Sequence, residues 1–117
     1  MDPIRIAIVG IGKIARDQHV PAIRGNGAFS LAATVSPHDA GLPGVPHHAS
    51  LDALLAQVDV VSCHVPLTRN GPDATWHLID APRLMALQHG TWLINSSRGP
   101  VIDNHALSVL LAERPDV

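Results

Sequence analysis

The stretch Ile4-Arg5-Ile6-Ala7-Ile8-Val9-Gly10-Ile11-Gly12-Lys13-Ile14-Ala15-Arg16 decides the fold of this chain. An apolar run, broken only by Arg5, leads into two glycines spaced by one residue and then into a segment of helical composition. A short apolar run bounded by glycine reads as a buried strand, followed here by a tight turn and a helix start. The spacing Gly10-x-Gly12-x-x-Ala15 has a physical reading at each position. Gly10 permits the turn, Gly12 lets another group approach the backbone, and small Ala15 lets the helix lie close to the strand. The helix N-terminus adds unpaired N–H groups and a partial positive charge. Together these features predict a seat for a dinucleotide pyrophosphate on the backbone of Ile11 to Ile14, with Lys13 nearby. The competing reading is a strand-to-helix turn that holds no ligand.

Downstream, strands and helical stretches alternate. Phe29–Val35, Val58–His64 and Thr91–Asn95 read as the second, third and fourth major strands, with room for a short edge strand near His47–Ala49. Between Gly12 and Arg24 a helix is expected, restarted or kinked at Pro21. Ser50 is placed to cap a helix over Leu51–Gln57. Asp80 is placed to cap another, with Leu84 and Leu87 inward and Gly90 as its stop. Asp103 caps the last, whose stripe is Leu107, Leu110 and Leu111. This alternation predicts an α/β fold: a Rossmann-like, doubly wound parallel sheet in a single domain, residues 1–117. The expected order of the major strands is 2-1-3-4, with the ligand crevice at the carboxyl ends of strands 1 and 3.

Composition agrees. Hydrophobic residues make up 46% and charged residues 15%, enough apolar material for a packed core. Aromatics are only 3%, so that core is aliphatic, as suits strands buried on both faces. A net charge of −2 without a Lys/Arg cluster argues against nucleic acid as a partner. No stretch approaches a membrane span and no signal peptide precedes the first strand, so a cytoplasmic protein is expected. Cys63 is the single cysteine and reads as a small apolar core residue. Eight histidines are dispersed without the spacing of a zinc site, so no metal is expected.

Two longer resemblances overlie this reading. PIRIAIVGIGKIARDQHVPAI at 3–23, with PGV at 43–45 and SLDALL at 50–55, resembles the glucose–fructose oxidoreductase/inositol dehydrogenase family and its galactose 1-dehydrogenase branch. From about Val58 the chain is similar instead to the D-2-hydroxyacid dehydrogenases, through DVVSCHVPLT, ATWHLIDAPRL, GTWLINSSRGPVIDNHAL and the closing PDV. TWHL and PRL point to the erythronate-4-phosphate dehydrogenase branch. Both resemblances imply an NAD(P)-binding domain, and their meeting implies a chimera of two half-domains, engineered or natural, joined near residues 53–60.

What the resemblances imply about chemistry is incomplete. The first family places a Glu-Lys-Pro motif with a catalytic lysine where this chain has His64-Val65-Pro66-Leu67-Thr68. The second brings a catalytic Glu and His, expected beyond Val117. Arg98 matches that family's substrate arginine, whose planar guanidinium suits a carboxylate, yet alone it is expected to be inactive. His64, Val65 and Pro66 match a cofactor-flanking segment, and Ser97 joins them as a cofactor-side candidate. At the end of the second strand a carboxylate would favour NAD over NADP, but Ser36-Pro37-His38 stands there and Asp39 comes late, leaving the preference open. Three functions follow: an NAD(P)-binding domain without a complete catalytic site, a structural fold without ligand, and, less favoured, a working oxidoreductase. A homodimer through the edge of the fourth strand, TWLIN, is also expected.

Overall fold

Five parallel strands make one sheet in the order β3-β2-β1-β4-β5: β1 is Ile4–Val9, β2 Phe29–Val35, β3 His47–His48, β4 Val60–Cys63 and β5 Trp92–Asn95. These assignments come from a computed structural model that describes residues 2–37 and 41–117. Without the two-residue β3, the order is the expected 2-1-3-4, and β3 supplies the short edge strand foreseen near His47. The third and fourth major strands are shorter than their apolar runs suggest. Val58 is buried below β4, and Thr91 turns back to donate its hydroxyl to the Gln88 carbonyl at 2.6 Å before β5 begins.

The pleat divides β1 between two cores. Ile6 and Ile8 face the first helical segment with Ile11, Ala15 and Val20, whereas Ala7 and Val9 face Leu51, Leu54, Leu84, Leu87 and Leu110. Burying one such aliphatic side chain is worth about 1.5–3 kcal/mol. The pairing of β1 with β2 slips between Ile6 and Ala7, where Leu31 and Ala33 oppose consecutive β1 residues. A bulge of this kind reverses side-chain facing. Phe29 and Leu31 therefore join the first core and Ala33 and Val35 the second, although all four are odd-numbered.

The helix after Gly12 accommodates Pro21 through a π-turn over Ala15–His19, which runs directly into α1, Val20–Arg24. Val20 N–H reaches back five residues to the Ala15 carbonyl. The wider turn suits a proline that has no N–H of its own and would crowd a regular i−4 carbonyl. Asp80 caps α2, Ala81–Met85, accepting from Arg83 N–H at 3.2 Å, and Asp103 caps α3, Asn104–Glu113, accepting from Ala106 N–H at 3.1 Å.

Three helical expectations need correction. Leu51–Gln57 is a run of turns closed by Leu54 N–H to Leu51 O and Gln57 N–H to Leu54 O, not an α-helix. Leu51, Leu54 and Leu55 are all buried, so packing on the second core rather than a run of i→i−4 bonds holds the segment. Gly90 does not stop α2, which ends at Met85; its φ of +77° turns the chain into β5. On α3 Leu110 is buried and Leu107 packs beside it, but Leu111 is exposed, so the inward stripe is narrower. No helix among the described residues is long and apolar enough to cross a membrane.

Candidate functional site

The carboxyl ends of β1, β2 and β4 open into a cleft of about 610 Å³ whose floor includes Val9, Gly10, Ile11 and Gly12. Gly10 adopts φ +92°, and a Cβ there would sit 2.3 Å from the His64 carbonyl oxygen and 2.7 Å from Val65 Cγ1. Glycine is therefore required twice, by the backbone and by the close approach of the chain leaving β4. Gly12 differs: a Cβ there meets nothing within 4 Å. Its open side faces the cleft at the first helical turn. The earliest bond of that turn is Arg16 N–H to the Gly12 carbonyl at 3.1 Å, so the preceding N–H groups have no helical carbonyl to meet. Ala15 is 2% exposed, wedged against the sheet as its small size allows.

Of the phosphate-turn candidates, Gly10, Ile11 and Gly12 line the cleft, whereas the side chains of Lys13 and Ile14 do not. Lys13 is strongly exposed and ion-pairs with Asp17 one turn on, and Ile14 is exposed too. Ser36, His64, Val65 and Pro66 line the cleft. His38 and Asp39 lie outside the described residues. Ser97 stands behind the wall, its Oγ accepting from Val65 N–H at 2.8 Å and so fixing the residue that touches Gly10.

His64 is half-buried with both ring nitrogens engaged, Nε2 with Ser62 Oγ and Nδ1 with Ser96 Oγ, each at 2.7 Å. The His19 ring lies over it with centroids 4.2 Å apart. Burial first, and then the neighbouring charge of His19, lowers the His64 pKa from the ordinary 6.5. The ring is therefore held as neutral imidazole at pH 7. Cys63, fully buried, is pushed up to about 12 by burial, which excludes a thiolate role.

Arg98 is exposed on the loop after β5 and does not line this cleft. Its loop is braced from the other side: His77 N–H donates to the Pro100 carbonyl at 2.7 Å and Ile79 N–H to that of Val101 at 3.0 Å. No group of three or more metal-ligating side chains occurs among the described residues.

Several lining residues were not singled out as ligand contacts from sequence. Thr68, Thr75, Pro72, Asp73 and Arg83 complete the outer wall. Thr68 and Thr75 clasp the loop between them, with each threonine's N–H donating to the other's Oγ1 at 2.9 and 3.0 Å. The pair is visible in the sequence only as two threonines flanking a turn-rich stretch, a signal too general to have found it. Arg83 is anchored by Asp52, through Nε at 2.9 Å and Nη2 at 3.4 Å, and by the Leu78 carbonyl, through Nη1 at 2.7 Å.

The same architecture occurs in characterised proteins. Residues 2–115 match the family model described as D-isomer specific 2-hydroxyacid dehydrogenase, NAD binding domain. The erythronate-4-phosphate dehydrogenase of Pseudomonas fluorescens strain Pf0-1 is 42% identical over 110 residues, 94% of this chain and 28% of that protein. That of P. fluorescens strain Pf-5 is 56% identical over 70 residues, 60% of this chain and 18% of that protein. A crystal structure of a D-isomer specific 2-hydroxyacid dehydrogenase from Xanthobacter autotrophicus Py2, in complex with NADPH and MES, superposes with a TM-score of 0.77. It is 32% identical and covers 94% of this chain and 44% of its own. The matched part thus spans less than a third of the length of these curated relatives. With the family match running from β1 through α3, over the glycine turn and the cleft walls alike, this chain belongs to the D-isomer specific 2-hydroxyacid dehydrogenases, as an NAD-binding domain of that family.

Proposed function

We propose that this chain holds an NAD(P) dinucleotide in the cleft at the carboxyl ends of β1, β2 and β4, with the pyrophosphate on the turn from Gly10 to Ile14. The observation that carries the reading is the contrast between the two glycines: Gly10 has no room for a side chain, whereas Gly12 faces open space. A turn serving only to connect strand to helix needs the first glycine and not the second. The dinucleotide, when bound, supplies the hydride chemistry. The chain's residues bind and orient it: Gly12 admits the pyrophosphate, Val65 and Pro66 wall the cleft, and neutral His64 presents a fixed ring beside it. Arg98 is proposed to meet a substrate carboxylate supplied from outside the cleft, and a complete hydride transfer is not assigned to these 117 residues.

Titration with NAD+ and NADP+, followed by calorimetry, tests the reading. Gly12→Val is expected to weaken binding by at least about 100-fold, because the side chain fills the phosphate's space, while melting temperature changes little. Unchanged affinity in Gly12→Val would place the ligand elsewhere.

A fusion of two half-domains near residues 53–60 is the second reading of how the chain arose. It is supported by the resemblance of residues 3–23 and by the uneven identity of the relatives, 56% over 70 residues against 42% over 110. A single origin is supported by the family match that runs through 2–115. Self-association through the outer edge of β5 is likewise proposed. That strand is the last in the sheet, and Trp92 and Ile94 are 71% and 44% exposed beside it.

A further inference from the structure

We infer that His64 is a positioning residue for Arg98: through Ser96 its ring fixes the loop that presents the arginine to a substrate carboxylate. The inference rests on the reading of Arg98 proposed above. The β4–β5 ladder pairs Cys63 with Asn95 and closes with Ser96 N–H donating to the Cys63 carbonyl at 3.2 Å. Past that point side chains carry the pairing on for two residues. His64 Nδ1 meets Ser96 Oγ at 2.7 Å, and Val65 N–H donates to Ser97 Oγ at 2.8 Å. The Asn95 side chain closes the same turn, accepting from Ser97 N–H at 2.9 Å and donating to the Arg98 carbonyl at 3.1 Å. The backbone at Arg98 is therefore held, whereas its side chain is exposed and its guanidinium has no partner among the described residues.

The hydrogen bonds fix which ring nitrogen carries the proton. Ser62 and His64, two residues apart at the end of β4, share a face, and the ring folds back on the serine. Ser62 is buried, and among the described residues its hydroxyl has one partner, His64 Nε2 at 2.7 Å. A neutral imidazole has one donor and one acceptor. With Ser62 Oγ donating to Nε2, Nδ1–H donates to Ser96 Oγ, and the Ser96 hydroxyl donates in turn to the Cys63 carbonyl at 3.4 Å. Every hydroxyl and ring proton of the relay then has an acceptor. The opposite direction leaves the Ser62 proton buried without one, a desolvated donor that folding disfavours. The relay therefore runs one way, from the interior of β4 to the loop that carries Arg98.

A change of charge on the ring reaches the loop by the same route. Protonation turns Nε2 from acceptor to donor, so the Ser62 bond has to reverse. The Nδ1–H bond to Ser96 becomes charge-assisted, hence shorter and stronger. Around the ring stand His19 of the first helical segment, stacked on it, Cys63 beside it, held as a thiol, and Arg98 beyond Ser96. Asp73 and Arg83 share its cleft. Burial, and after it the charge of His19, opposes protonation of the ring.

Nuclear magnetic resonance of the isotope-labelled chain tests the link. As acid is added from neutral pH, the amide signals of Ser96, Ser97 and Arg98 are expected to move with the midpoint of the His64 ring. Ser96→Ala should reduce those movements at least about threefold while the ring still titrates, and Ser96→Thr, which keeps the hydroxyl, should restore them. A ring that merely lies near the loop acts through space; amides that move equally in Ser96→Ala would overturn the positioning role. Oxalate, as the carboxylate probe, is followed at neutral pH through the Arg98 side-chain signals. Its affinity is expected to fall at least about threefold in Ser96→Ala and in His64→Gln and to return in Ser96→Thr. If His64→Gln does not fold, or acid unfolds the chain before the ring takes up a proton, the two variants of exposed Ser96 decide the matter, and equal oxalate affinity in Ser96→Ala overturns the proposal. Oxalate that leaves Arg98 unmoved in the unaltered chain, while the loop amides follow the ring, overturns the carboxylate reading of Arg98 and supports His64 as the anchor of its loop.

Discussion

At the residue scale, the two glycines of the first turn separate structural from functional constraint. Gly10→Ala forces a Cβ to within 2.3 Å of a backbone carbonyl at a φ of +92°, so its cost falls on the fold, whereas Gly12→Val meets no protein atom and its cost is expected to fall on the proposed ligand. His64 yields a second prediction, on pH. Burial and His19 lower its pKa in the folded chain below the ordinary 6.5, so above pH 6.5 the ring is neutral both folded and unfolded and its stabilisation is fully present. As pH falls below 6.5 the unfolded chain takes up the proton first, and stability is lost through the folded-state pKa. Chemical denaturation between pH 5 and pH 7.5 is expected to give a steeper acid-side loss for the unaltered chain than for His64→Gln; parallel profiles would contradict this. Asp52, Asp59 and Asp116 act in a lower window. Their pKa values are lowered from 3.8 by hydrogen bonds to Arg83, to Arg5 and to Arg114 respectively, and what they contribute is lost only below that range.

At the element scale, the caps and turn residues were legible in the sequence and the lengths were not. Asp80 and Asp103 were readable as N-caps because their carboxylates satisfy N–H groups within three residues, a wholly local bond. Asp103→Ala is therefore expected to cost about 1 kcal/mol, measured as a lower denaturation midpoint with unchanged slope. The π-turn at Ala15–His19 and the bulge in β2 were not legible. Each inserts one residue into a regular ladder, and what compensates for the insertion is contact with the sheet, which no local pattern encodes. The same holds for Leu51–Gln57, where a good cap and apolar spacing suggested a helix, yet the burial of three leucines on the second core produced linked turns.

At the scale of the whole molecule, β1 pairs with both β2 and β4, with Ile6 to Val9 opposite Val60 to Cys63. The division near residues 53–60 therefore falls through the middle of the sheet. Fragments 1–57 and 58–117 are expected to be largely unfolded apart and to regain circular dichroism on mixing only where they re-form that pairing; two separately folded fragments would contradict one cooperative unit. The groove of about 620 Å³ beside the open edge, lined by Ile4, Ile6, Ile23, Phe29, Trp92 and Ile94, gives the proposed self-association an apolar face next to unpaired backbone. Light scattering across a range of concentrations should show a dimer that Trp92→Lys disperses. A monomer at all concentrations would remove the proposal.

The sequence by itself determined the fold class, the order of the major strands and the place of the glycine turn after β1. Those depend on hydrophobic period, glycine spacing and the handedness of crossovers, all properties of short segments. It also pointed to Ser36 and His64, each directly following the end of a strand, and, through the family resemblance, to Val65 and Pro66, all of which line the cleft. Only the tertiary structure decided which side chains share that cleft. Arg83 reaches its wall through Asp52, 31 residues away, and the Thr68–Thr75 clasp and the seating of Val65 on Gly10 are likewise contacts between segments. It also set Lys13 aside on Asp17 and Arg98 outside the cleft, since a side chain's direction depends on what the folded chain leaves around it.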